Sequence, residues 1–146
     1  ALDHKLKKNE NDRVAGDISS IKLKSNSCDT VFISHVLEHI QDDKKAMREL
    51  YRILKYNGWA ILNVPITVEK TFENPLIVDP IERLKAFGQE DHVRIYGLDY
   101  VDRLHEAGFK VEVTDVNELV QEEEVIRMGL TSPGGAGSDQ IYYCTK

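Results

Sequence analysis

Asp29-Thr-Val-Phe-Ile-Ser-His-Val-Leu-Glu-His-Ile40, a charged amphipathic segment, then Gly58-Trp-Ala-Ile-Leu-Asn-Val-Pro65: this stretch decides the fold. It reads as strand, short helix, long helix, strand. Thr30 to Ile33 is a near-continuous apolar, β-branched run, as expected of a strand covered on both faces. From Asp43 to Tyr56 the spacing predicts a helix, because Ala46, Met47, Leu50, Ile53 and Leu54 recur at intervals of three and four. Asp42 suits its N-cap, Asp43 its positive end and Lys55 its negative end, with Gly58 as a left-handed stop. Trp59 to Val64 is a second buried-strand run, closed by Pro65. Polar and ionisable side chains gather where the first strand ends, and in an open α/β sheet ligands sit at that end.

Upstream, residues 1–12 look like the tail of a helix, Arg13 to Asp17 a short strand, and Ile18 to Lys24 a loop with Ile21 and Leu23 tucked beneath it. Asn26-Ser27 is turn chemistry. Downstream, residues 66–95 are less regular. Turns are expected at Asn74-Pro75 and Asp79-Pro80, and Ile81 to Phe87 suits one or two helical turns in a region where a lid or substrate loop would be inserted. Leu98-Asp99 opens a helix with Val101, Leu104 and Ala107 on one face and Gly108 as its stop. Phe109 to Val116 alternates like a strand. An acidic segment, Gln121 to Glu124, and a glycine-rich turn, Leu130 to Asp139, precede a last strand, Gln140 to Thr145. The alternation predicts an α/β fold: a mostly parallel sheet, helices on both faces, and an antiparallel pair formed by the last two strands at the edge.

The 146 residues, 41% hydrophobic and 30% charged, suffice for one domain with a real core. A net charge of −6 disfavours nucleic-acid and anionic-membrane surfaces, which need clustered Lys and Arg. The basic run His4 to Lys8 is read as a solvated helix end. Cys28 and Cys144 are too few and too far apart for a disulfide framework, so buried thiols in a reducing cytoplasm are expected. No apolar run approaches the roughly 20 residues that span a bilayer, and no signal peptide is expected.

Gly16-Asp17-Ile18, Ser27 to Val31, His35-Val-Leu-Glu-His-Ile40 and Glu49 to Gly58 together resemble class I S-adenosylmethionine-dependent methyltransferases. Asp91 to Tyr96 and Glu106 to Phe109 resemble the acceptor-side segment and sixth strand of small-molecule members, and Ile141 to Lys146 their antiparallel seventh strand. The resemblance covers about residues 14 to 146. It implies a Rossmann-like sheet, S-adenosyl-L-methionine as cofactor and methyl transfer to a small-molecule acceptor. Family members begin with a strand, a glycine-rich loop and a second strand, for which this sequence has no counterpart. Gly134 to Gly137 does not replace that loop, having no clear strand before it and too few residues after it for a helix. The expectation is a single domain over 1–146 with its N-terminal strands missing, a fragment of a longer chain in preference to a chain whose gap a partner fills.

The resemblance assigns Asp17 to the exocyclic amine of adenine, with Ile18 packed on the ring, and places the backbone of Ser34 and His35 beside the methionine part of the cofactor. Asp29, at a strand's start, is read as a turn residue. Glu38 and His39 end the short helix and face the same opening as His35. His92, Arg94 and Tyr96 alternate and, if extended, project to one side, as either a polar cluster over an acceptor pocket or a surface strand with salt bridges would. For a hydroxyl or thiol acceptor the candidate bases are His39, His92 and His35, in that order. No metal is expected, since Ser34 stands where metal-holding quinone-precursor relatives carry a glutamate. Two alternatives compete. His35-Val-Leu-Glu38-His39 is also His-x-x-Glu-His, the inverted zinc-hydrolase motif, with Glu118 or Glu122 as a third ligand. A truncated domain could instead act as a non-catalytic interaction or dimerisation module. The partners expected are a small-molecule acceptor and a second copy of the chain in a homodimer, with no nucleic acid and no membrane.

Overall fold

A computed structural model describes residues 16–119 and 140–146. The expected N-terminal helix tail, most of the Arg13 to Asp17 strand, the acidic segment at 121–124 and the glycine-rich turn at 130–139 lie outside the described residues. The part of the Arg13 to Asp17 strand that is described, Gly16 and Asp17, is irregular.

Four strands form one sheet in the order β1-β2-β7-β6: β1 (Cys28–Ser34), β2 (Leu54–Asn63), β6 (Lys110–Asp115) and β7 (Gln140–Thr145). β1 and β2 are parallel, with Val31 opposite Ala60 and Ser34 opposite Asn63. β7 runs antiparallel to both β2 and β6, as the last strand pair was expected to. The parallel pair is joined through a one-turn 3-10 helix at Leu37–His39 and α1 (Asp43–Ile53). Three short strands make a second sheet, order β3-β5-β4: β3 (Ile66–Val68), β4 (Phe72–Glu73) and β5 (Arg94–Gly97). Between β4 and β5 lies α2 (Pro80–Phe87), a two-turn helix capped by Asp79. α3 (Tyr100–Ala107) and α4 (Val116–Leu119) flank β6.

Sheet register sorts the side chains. Val31, Ala60 and Cys144 form one buried row and face the α1 stripe Ala46, Met47, Leu50 and Ile53 together with Leu104 of α3. Phe32, Ile61 and Tyr143 form the opposite row, where Phe32 is 68% exposed. The apolar run expected to be covered on both faces is thus covered on one, among the described residues. Tyr96, Tyr100 and Tyr142 meet edge to face, centroids 4.9 and 5.0 Å apart, and tie the small sheet through α3 to the large one.

α1 stops three residues earlier than its periodicity suggests, and Gly58 is not its left-handed stop. Asn26, itself at φ 54°, donates its N–H to the Arg52 carbonyl at 2.9 Å, and Ser27 donates to that of Ile53 at 2.8 Å. These bonds satisfy carbonyls that another helical turn would need, so Leu54 turns extended. Lys55 consequently lies beyond the helix and pairs with Asp29 at 2.8 Å. Gly58 sits in β2, where a Cβ would come within 2.7 Å of the Asp29 carbonyl oxygen. Close strand approach, not helix termination, requires the glycine there. Gly108, at φ 111°, does end α3 as expected.

Candidate functional site

The site begins at the carboxyl end of β1. Ser34 is the last residue paired to β2, and His35 then adopts φ 54°, a left-handed conformation uncommon for a residue with a side chain. Its N–H still reaches the Asn63 carbonyl at 3.0 Å. The reversal starts the 3-10 turn and leaves Glu38 with only 1% of its surface exposed.

Arg94, 3% exposed, holds this turn in place. It donates to the backbone carbonyls of Leu37 (3.0 Å), Ile40 (2.5 Å) and Gln41 (2.9 Å), and to Glu73 at 3.0 Å. Carbonyls left open by a short helix thus find a buried donor. The Tyr96 hydroxyl donates to the Asp43 carboxylate at 2.7 Å, and Arg103 bonds the same carboxylate at 2.9 Å. Burial, and then the Asp43 charge, pushes the Tyr96 phenol well above its ordinary range. Asp43 is therefore more than a helix-dipole residue: it is the hub of a buried ionic network with Arg94, Arg103 and Glu73.

The expected clustering is seen. His35, Glu38, His39, His92, Arg94 and Tyr96 all line one cleft of about 430 Å³. Glu38 Oε1 lies 3.5 Å from His35 Nδ1 and 4.0 Å from His39 Nε2, while burial raises the Glu38 carboxyl. His39 Nδ1 lies 3.2 Å from Asp91 Oδ2. The His39 and His92 rings meet edge to face at 4.6 Å, and burial, followed by the neighbouring His39, lowers the His92 pKa. Sequence reasoning missed Asp91, Asp43, Glu73 and Arg103, whose roles come from contacts 21 to 60 residues apart that no local spacing encodes. The zinc-hydrolase spacing does not lie on an α-helix: His35 is outside the 3-10 turn, and the potential metal group among the described residues joins Glu38 and His39 to His92 instead.

Asp17 and Ile18 lie elsewhere, at an apolar hollow of about 230 Å³ between β1 and α1, lined also by Ile21, Val31, Leu50 and Ile53. The Asp17 carboxylate accepts from Ser19 N–H and Oγ, both at 2.8 Å, and the backbone bond is the main cause lowering its pKa. Arg52 pins the loop above by donating to the carbonyls of Ile21 and Leu23.

Residues 1–62 match the family described as "Methyltransferase domain". An S-adenosylmethionine-dependent methyltransferase from Archaeoglobus fulgidus is 18% identical with a TM-score of 0.54, over 94% of this chain and 69% of that one. A possible histamine N-methyltransferase from Thermotoga maritima is 18% identical with a TM-score of 0.52, over 88% of this chain and 60% of that one. The fold is that of the class I methyltransferases. A cyclase of the 4+2 type, SpnF, is 19% identical with a TM-score of 0.53, over 88% of this chain and 53% of that one. The chain thus spans between about half and two thirds of the length of these structures. No curated protein sequence matches it.

In this fold the matched residues run through β1, the 3-10 turn, α1 and most of β2, the unit whose carboxyl end opens into the cleft. The Rossmann-like sheet expected from the sequence is therefore present; among the described residues it is mixed, with β1–β2 parallel and both β7 pairings antiparallel. Among the described residues, the other edge of β1 has no strand beside it.

Proposed function

We propose that the chain is the carboxyl-terminal part of an S-adenosyl-L-methionine-dependent methyltransferase acting on a small-molecule acceptor. The observation carrying this reading is the cleft at the carboxyl end of β1, whose volume of about 430 Å³ falls in the usual small-ligand range and which gathers three histidines and Glu38. The residues present also fit the cofactor. A carboxylate at the rim of an apolar hollow suits a flat purine with an exocyclic amine. Asp17 has lone pairs beyond the two that Ser19 uses, and Ile18 lines the same hollow. Bound there, the cofactor would supply an electrophilic methyl on a sulfonium.

Asp17 and Ile18 hold the adenine end, and Ser34 and His35 the methionine end, where β1 reverses. The protein's main task is alignment, which can contribute ~7–11 kcal/mol. His39, oriented by Asp91, is the first candidate to take a proton from a hydroxyl or thiol acceptor; His92 and His35 follow. Glu38, Arg94 and Tyr96 shape the acceptor side, with the polar atoms of Arg94 and Tyr96 already engaged by the protein. The deciding experiment is calorimetric titration of S-adenosylhomocysteine into this chain and into a form extended at its amino end. Saturable binding that Asp17→Ala abolishes supports the reading, and absence of binding by both forms overturns it.

An edge of β1 with no strand beside it among the described residues, together with the exposed Phe32, favours a second reading, a module that pairs with another chain or a second copy in a homodimer. Sedimentation of the chain separates the two: a dimer without cofactor binding selects the module.

A further inference from the structure

We propose that Glu38, His39 and His92 form a binding site for a divalent first-row transition cation, with zinc as its best fit. Their donor atoms lie within 4.8 Å of one another, although His92 lies far along the chain from the other two. A backbone bond, Val93 N–H to the Glu38 carbonyl at 3.0 Å, locks the two segments together. Ligands about 2.0–2.2 Å from a tetrahedral zinc lie roughly 3.3–3.6 Å apart, so closure draws the donor atoms together by up to about 1.5 Å.

Three further observations point to a cation. Glu38 Oε2 is buried with no hydrogen-bond partner among the described residues, on a side chain 2% exposed. A buried carboxylate oxygen left unbonded is costly, and a cation is what would satisfy it. Next, His39 lies between two carboxylates, with Nδ1 3.2 Å from Asp91 Oδ2 and Nε2 4.0 Å from Glu38 Oε1, so a carboxylate stands behind the imidazole on the side away from Glu38. Finally, the His92 ring meets the His39 ring edge to face at 4.6 Å, and both line the cleft. Arg94 in the same cleft is turned onto carbonyls and Glu73, away from this role.

Two imidazoles and one carboxylate suit zinc, cobalt or iron(II), whereas magnesium and calcium prefer oxygen ligands throughout. Three protein ligands at an open cleft leave a coordination position for water or an acceptor group. A cation there would acidify a bound acceptor hydroxyl, so His39 and His92 act as bases only in the cation-free site. The site's existence does not rest on methyl transfer.

The test uses chelator-stripped protein, titrated calorimetrically with Zn²⁺, Co²⁺ and Mg²⁺, with the visible spectrum followed for Co²⁺. The expected result is one Zn²⁺ or Co²⁺ per chain with negligible Mg²⁺ uptake. Glu38→Gln and His92→Asn should each lose at least ~100-fold in affinity, and Asp91→Asn ~10–100-fold. His35→Asn should bind the metal as the parent does. Circular dichroism confirms that each variant is folded, and the parent titration stands whether or not they are. Absence of stoichiometric binding by the parent overturns the proposal. So does loss in His35→Asn with retention in His92→Asn, which would assign the metal to the contiguous His-x-x-Glu-His spacing.

Discussion

At the scale of single residues, burial of charge separates the cleft from the surface. Asp43, Arg94 and Tyr96 are all under 4% exposed, and Asp43 pairs with the other two, so its removal takes a partner from each. Asp43→Ala should destabilise the fold by about 3 kcal/mol, read from urea unfolding, because Arg94 and Arg103 lose the buried one of their two carboxylate partners and keep only the more exposed Glu73. Tyr96→Phe removes one hydroxyl while Arg103 keeps Asp43 paired, and should cost about 1 kcal/mol. The same variant distinguishes packing from acceptor binding: a purely structural hydroxyl leaves KM unchanged. His39→Ala should lower methyl transfer to a hydroxyl acceptor by ~10²–10⁴-fold with little change in S-adenosylhomocysteine affinity. An unchanged rate would remove His39 from catalysis.

Elements show where local rules hold and where they yield. Asp42 caps α1 as its position suggests, accepting from Lys45 N–H at 2.9 Å, and Gly108 stops α3. Both outcomes follow from interactions within a few residues, which is why the sequence displays them. The end of α1 follows from another segment, the Asn26-Ser27 turn, and no periodicity within the helix foretells it. Gly58→Ala tests this account. The added methyl would strike backbone of β1, which cannot swing aside as a side chain can, so a loss of about 1–3 kcal/mol is expected. Were Gly58 a solvent-facing helix stop, the loss would track φ strain alone and leave the β1–β2 pairing intact by hydrogen exchange.

For the whole molecule, acid should loosen the join between the two sheets. Glu73 on β4 bonds Arg103 on α3 at 2.8 Å and Arg94 on β5 at 3.0 Å, and the Arg103 bond is the main cause lowering its pKa. A depressed carboxylate stabilises the fold fully above its unfolded value of about 4.3, and that contribution is lost as pH falls through the lower folded value. The melting temperature should therefore drop more steeply below about pH 4.3 in the parent than in Glu73→Gln. Because Glu73 is 40% exposed, solvent screening keeps the effect small. Equal slopes would show that the pair carries no pH-dependent stability.

The sequence by itself determined β1, α1, β2, α3, β6 and β7 to within a few residues, and the end of the sheet where chemistry collects, but not the small sheet of β3, β4 and β5. A strand's apolar run, the three-and-four spacing of α1 and the caps around it are encoded by neighbours in the chain. It also placed His35, Glu38 and His39 together, since five residues suffice to bring them to one opening. Tertiary structure decided what those residues face. Only packing of the segment before β5 onto the 3-10 turn brings His92 against His39 and Asp91 behind it, and only the turn's open carbonyls draw Arg94 inward. Such contacts join residues some fifty positions apart, and their strength comes from exclusion of water, which exists only after the chain has folded.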